Sequence, residues 1–282
     1  MLRLTLCMAL AMALWGCAGA PPLTDAEQAR LNTLLPTDAL LLGEQHDAPE
    51  HHRLERQVVE HLAARHALAA VALEMAEQGH ATTGLPPGAS EAVVRQALAW
   101  NDRGWPWATY GPVVMSAVRA GVPVLGANWP AARGREAMRD ATLDARLPPA
   151  AFARQRQRIA DAHCQLLPES QLTPMTRVQI ARDRAMAQTV VAALQPGRTV
   201  LLIAGGGHVD RTLGVPWHLP PDIQSKVVLA LAGQAQTATD SEAFEAGTLA
   251  PGDLLWRTPA RPPRDHCAEL QLFKTARPAA GP

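Results

Sequence analysis

Apolar residues in this chain gather into short runs bounded by turn-forming residues: Ala39 to Leu42, Ala70 to Leu73, Val122 to Leu125, Thr199 to Ala204, Val227 to Leu231 and Asp253 to Trp256. The runs lack the polar alternation of a half-exposed strand, which predicts strands buried on both faces, as in a parallel sheet. Between them the period lengthens to that of a helix. Glu50 to Arg65 sets Leu54, Val58 and Leu62, with Ala69 beyond, roughly on one stripe, and Val178 to Leu194 continues a helical pattern after Pro174. Strands alternating with helices predict an α/β fold with a largely parallel central sheet flanked by helices and wound with right-handed crossovers. Residues 79–112 and 130–195 fit the alternation poorly and are expected to form a helical subdomain over the carboxyl ends of the strands.

The first residues carry a different pattern. Arg3 precedes an apolar run from Leu4 to Trp15 that is too short to span a bilayer, and Gly16-Cys17 follows. Leu14 to Cys17 resembles a bacterial lipobox, so residues 1–17 are expected to be a lipoprotein signal peptide with Cys17 lipidated. The alternative is ordinary cleavage after Ala18 or Ala20. Residues 18–36 would then be a tether and 37–282 the folded domain. Of the four cysteines, only Cys164 and Cys267 lie clear of the export segment. In an oxidising compartment they are expected to pair, with two buried thiols as the alternative. The 26 basic and 26 acidic residues balance, and no field favours nucleic acid.

Each candidate strand is followed at once by distinctive chemistry: Glu44 and His46 after the first, Glu74 at the end of the second, Asn128 after the third, His208 after the fourth. Parallel strands put all these ends on one side, where open α/β sheets bind ligands. Gly43-Glu-Gln-His46 and Gly205-Gly-Gly-His208 share a G-x-x-H spacing. His46, Glu74 and His208 could hold a divalent metal such as zinc, or Glu44, Glu74 and His208 could serve catalysis, although the helical H-E-x-x-H motif is absent. Asp47-Ala-Pro-Glu50 predicts a helix start of capping-box type. His51 and His52 then fall on the first helical turn as solvated or core-edge residues.

A second cluster, "WNDRGWPWATYGPVV", holds three of the seven tryptophans and the only tyrosine, Tyr110. Aromatics beside a phenol suit a large flat ligand, and a tyrosine phenolate can ligate ferric haem. From these residues alone the favoured reading is a Trp-rich hinge that packs the helical subdomain on the sheet, with the Tyr110 hydroxyl satisfied by a backbone carbonyl.

The ordered segments "LLGEQHDAPEHH", "VALEM", "WPWATYGPVV", "GANWP", "ARDRAMA" and "LIAGGGHVDRTLGVPWHL" resemble those of the ChaN-type haem-binding lipoproteins, from about Leu40 to Leu219. That family sits in a superfamily with the Tiki metalloproteases and erythromycin esterase-like enzymes. The resemblance implies an outer-membrane-anchored protein of haem or iron uptake, working beside an outer-membrane receptor, with two subunits enclosing stacked haems. It implies Tyr110 as the axial ligand of ferric haem, Trp105 and Trp107 near the porphyrin, and Arg103 or Arg182 for the propionates. The competing function is a metal-dependent hydrolase, a peptidase or esterase, using the strand-end glutamates and histidines.

Overall fold

The computed structural model describes residues 21–233 and 249–276. Cys17, the export segment and the tail beyond Pro278 lie outside them. A six-stranded, all-parallel sheet runs through the domain in the order β3-β2-β4-β1-β5-β6. The strands are β1 (Ala39–Glu44), β2 (Leu68–Glu77), β3 (Val124–Asn128), β4 (Thr199–Gly205), β5 (Ser225–Ala232) and β6 (Leu254–Thr258). Each grows from one of the six apolar runs. The uninterrupted burial of β1 and β4 explains their lack of alternation, because both faces are covered.

Alternate residues serve two separate cores. Leu40 and Leu42 of β1, with Leu201 and Ile203 of β4, face α2 (Pro49–Ala64) and α4 (Trp107–Arg119), where Leu54, Val58, Leu62 and Val113 meet them. Leu41, Leu202 and Leu229 face the other side, against Met186 and Val190 of α7 (Glu169–Ala192). Residues 79–112 and 130–195 therefore do not form one helical unit. The first region supplies α3 (Glu91–Ala97) and the start of α4 to one face. The second supplies α5 (Gly134–Arg139), α6 (Pro149–Ala162) and α7 to the other, around a small core of Leu143, Leu147, Ala151 and Ile180. No helix among the described residues is long and apolar enough to cross a membrane.

Three local expectations are corrected. Residues 18–36 are not simply a tether: α1 (Asp25–Asn32) starts on a capping box between Thr24 and Glu27, and Leu23, Leu31 and Leu34 are buried in the core. Helix α2 has no such cap. Its N-cap is Ala48 with no side-chain bond, because Asp47 is drawn into an ion pair with Arg261 and Glu50 pairs with Arg53. Helix α7 begins at Glu169 and runs through Pro174, which early in a helix removes one backbone bond without stopping it.

Cys164, just past α6, bonds Cys267 of α9 (His266–Ala276; α8 spans Val215–His218) with Cα atoms 5.6 Å apart. Closing a loop of 103 residues limits the unfolded chain, worth up to about 4–5 kcal/mol on the chain-entropy model. Peptide mapping without reductant is expected to recover the two cysteines linked. A double Cys→Ser variant should unfold at lower denaturant, and an unchanged midpoint would contradict a stabilising link.

Candidate functional site

The sheet order decides which residues meet. Strand β4 lies between β1 and β2, and in the register Glu44 stands opposite Gly205. Strand β2 continues past the expected end to Glu77, but its register against β3 slips between Leu73 and Glu77. Such a bulge redirects side chains, and Glu74 lies inside it. Gly126 of β3 passes so near the bulge that a Cβ there would lie 2.0 Å from the Glu77 carbonyl oxygen.

Glu44 is buried, and its Oε1 is the meeting point of two side chains. Tyr110 donates its hydroxyl to Oε1 at 2.9 Å, and His46 Nδ1 lies 2.7 Å from the same atom. The aromatic cluster and the strand-end cluster are therefore one site. Trp105 closes it, edge-on to His46 at 4.8 Å and to Tyr110 at 5.7 Å between ring centres. The covering segment is held by Trp100 Nε1, which donates to the Trp105 carbonyl, and by the Trp107 amide, which donates to Asp102. Trp107 itself turns away: its indole donates to Glu91 and its ring packs against Trp100, so it joins α3 to α4.

Glu74 is the second buried carboxylate. It accepts from the Gly205 amide at 2.7 Å and from Arg182, whose Nε also donates to Asn128. The glycine-rich turn thus turns one amide to a carboxylate of the same chain. His46 Nε2 lies 3.8 Å from Glu74 Oε2, and a side chain at Gly205 would stand 2.9 Å from that nitrogen. His208 faces two carboxylates, with Nδ1 2.5 Å from Asp183 and Nε2 3.3 Å from Glu74. An imidazole donating from both nitrogens keeps no lone pair for a metal. With the Arg182 guanidinium also on Glu74, the set His46, Glu74 and His208 is brought together in one charge network.

Burial alone would raise Glu44, yet the hydrogen bond from His46 and the nearby His52 imidazole outweigh it and hold the carboxyl at about 2. Glu74 is likewise held below the carboxylate range against its burial, chiefly by the charges of His208 and Arg182. Burial and the Glu44 charge push the Tyr110 hydroxyl far above its usual value. His46 is raised, because Glu44 and Glu74 overcome its desolvation. His208 is pushed up to about 9 by Glu74 and Asp183 against its burial. Asp183 moves up as well, since complete burial exceeds the pull of the imidazolium. We assign the charge to the ring because two carboxylates share it.

Two residues of this neighbourhood escape a strand-end reading. His52, taken above for a solvated or edge residue, puts Nε2 3.1 Å from Glu44 Oε2, and fully buried Glu55 lies beside them. Burial, then the Glu44 charge, raises the Glu55 carboxyl well above its ordinary value. The spacing His52-x-x-Glu55, which places both on one helix face, was the signal available. His51 is buried instead: its Nδ1 accepts from the Gln45 amide, so Nε2 carries the proton and donates to Thr258 at 3.0 Å. Desolvation lowers it to about 4 and keeps it neutral.

A family model described as "Haem-binding uptake, Tiki superfamily, ChaN" matches residues 30–219. The structure of ChaN of Campylobacter jejuni, described by its cofacial heme binding, superposes with a TM-score of 0.60 at 23% identity, covering 74% of this chain and 87% of that one. A Bacillus cereus protein gives a TM-score of 0.35 at 13% identity over 71% of this chain and 67% of its own. No curated protein matches.

The raised pKa of His208 fixes the sign of its effect. Its contribution to stability is complete below the ordinary histidine value of about 6.5 and is lost as pH rises through about 9. A shift of that size corresponds to a contribution on the order of 3 kcal/mol. Urea midpoints are expected to fall between pH 6.5 and 9.5, and to fall less in His208→Gln. Equal slopes in both proteins would refute a charged His208.

Proposed function

The chain belongs to the ChaN haem-binding family of the Tiki superfamily, and from that membership and the donors at the cleft mouth we propose that it binds haem there. The observation that carries the reading is the Glu44–His46 pair under Trp105. His46 is the exposed member of the cluster, with 41% of its side chain accessible. Its Nδ1 is engaged by Glu44, which leaves Nε2 as the atom that can meet a metal. An imidazole oriented by a carboxylate through its other nitrogen is a well-positioned iron ligand. Trp105 offers apolar surface at the same mouth. Arg103 is exposed and available for a propionate, whereas Arg182 is committed to Glu74 and Asn128.

Tyr110, the ligand implied by the family resemblance, is only 1% exposed and gives its proton to Glu44. A ferric phenolate would require that proton to leave and the segment from Trp100 to Trp107 to swing aside. His46 is the residue placed to hold iron with the cover closed, and Tyr110 would become available to it only if that cover opened. A haem-linked pair of subunits, each chain holding one haem, is part of the same reading. Lipidation at Cys17, outer-membrane location with a receptor as partner, and a role in haem or iron uptake complete the reading. The hydrolase reading stands second. Its support is the exposed His46 imidazole, backed by buried Glu44 and beside a charged His208, which can exchange protons without a metal on His208.

Haemin titration followed by absorption tests the assignment in the wild type, His46→Ala and Tyr110→Phe. His46→Ala should weaken binding by about tenfold or more, and Tyr110→Phe should leave the initial complex intact. Loss of a phenolate-type ferric band in Tyr110→Phe, with His46→Ala unaffected, would move the iron to Tyr110. Absence of binding in the wild type would remove the haem reading altogether.

A further inference from the structure

We infer that Glu44, His52 and Glu55 form a buried site for a divalent transition-metal cation, a site that shares only Glu44 with the haem donors and does not depend on haem. His52 and Glu55 lie three residues apart on α2 and project from one face of it toward the end of β1. One ligand atom from each of the three residues lies within 4.8 Å of the others.

The unpaired atoms point to a cation. Glu55 is wholly buried, yet neither carboxylate oxygen has a hydrogen-bond partner. Glu44 Oε2 and His52 Nε2 are also without one, although they stand 3.1 Å apart, because they lack the alignment of a hydrogen bond. Buried polar atoms are almost always satisfied, and a buried carboxylate without a counter-charge is among the costliest arrangements a fold can hold. A proton shared by Glu44 and Glu55 would serve one oxygen of each and leave His52 Nε2 and the second Glu55 oxygen unmet. A dication would take one ligand atom from each of the three residues and balance two carboxylates. One imidazole nitrogen with carboxylate oxygens suits zinc, cobalt, manganese or ferrous iron rather than calcium, which takes oxygen ligands.

The arrangement also explains how Glu44 can serve two neighbours. Its Oε1 is engaged by Tyr110 and His46, and Oε2 turns to the helix. A cation on Oε2 would fix the carboxylate that orients His46, in the manner of an outer partner that sets a ligand's direction.

The test uses the purified full-length chain, stripped with a chelator and titrated with cobalt(II) in the absence of haemin. One equivalent is expected, with the visible bands of a nitrogen–oxygen site. Glu55→Gln keeps shape and neutralises one ligand, so it should weaken cobalt binding by about tenfold or more. His208→Gln should retain the full equivalent. X-ray absorption at the zinc edge of the zinc-loaded wild type provides a measurement free of any folding defect in a variant, and should find one imidazole among oxygen ligands. No cobalt uptake by the wild type, unchanged affinity in Glu55→Gln, or more than one imidazole at zinc would each overturn the site.

Discussion

Everything at the carboxyl edge of the sheet depends on a negative charge held inside the fold. Glu44 ends a strand whose six residues are all buried, so its carboxylate has no water to turn to and must find partners in the chain. It finds Tyr110 from α4, His46 from the following turn and His52 from α2. These contacts hold the cover of the cleft, the exposed imidazole and helix α2 in register with the sheet. Replacing one of them changes more than its own bond, because a buried charge left short of donors is costlier than a lost surface contact.

Glu74 repeats the device on the next strand but one, with different partners and a different result. Its oxygens are filled by Arg182, a backbone amide and a charged His208. Two carboxylates at equivalent strand ends thus separate in role. One is closed by two cations and a backbone amide, and the other keeps an oxygen turned toward His52 and Glu55.

The fold was legible because a strand covered on both faces must be apolar throughout, and six such runs stand out even at this chain length. The strand-end residues followed from the same logic. What escaped the sequence are partnerships across long separations. Asp47 has the spacing of a helix cap, but Arg261, 214 residues away, takes its carboxylate. Arg182 has the look of a free surface cation, yet its guanidinium is bound to Glu74, 108 residues distant. Tyr110 stood out as a lone phenol without any sign that its hydroxyl would face Glu44 across 66 positions. Glu55 gives no sign of its burial beyond its place on a helix face, because an acid on a helix is solvated far more often than buried.

The strand order carries a consequence for how the molecule comes into being. Strands β1 and β2 are made first but never touch, because β4, made more than a hundred residues later, is inserted between them. Glu44 and Glu74 therefore cannot approach a common cleft until most of the chain has been synthesised. A nascent chain ending before Thr199 holds both acidic strands without the element that joins them. Parallel pairings of such long range form slowly and leave apolar edges open while they wait. The residues that give the cleft its chemistry are thus also among the last to become safe from misassembly, and a chain interrupted before Thr199 would hold the β2–β3 pair with β1 stranded apart from it.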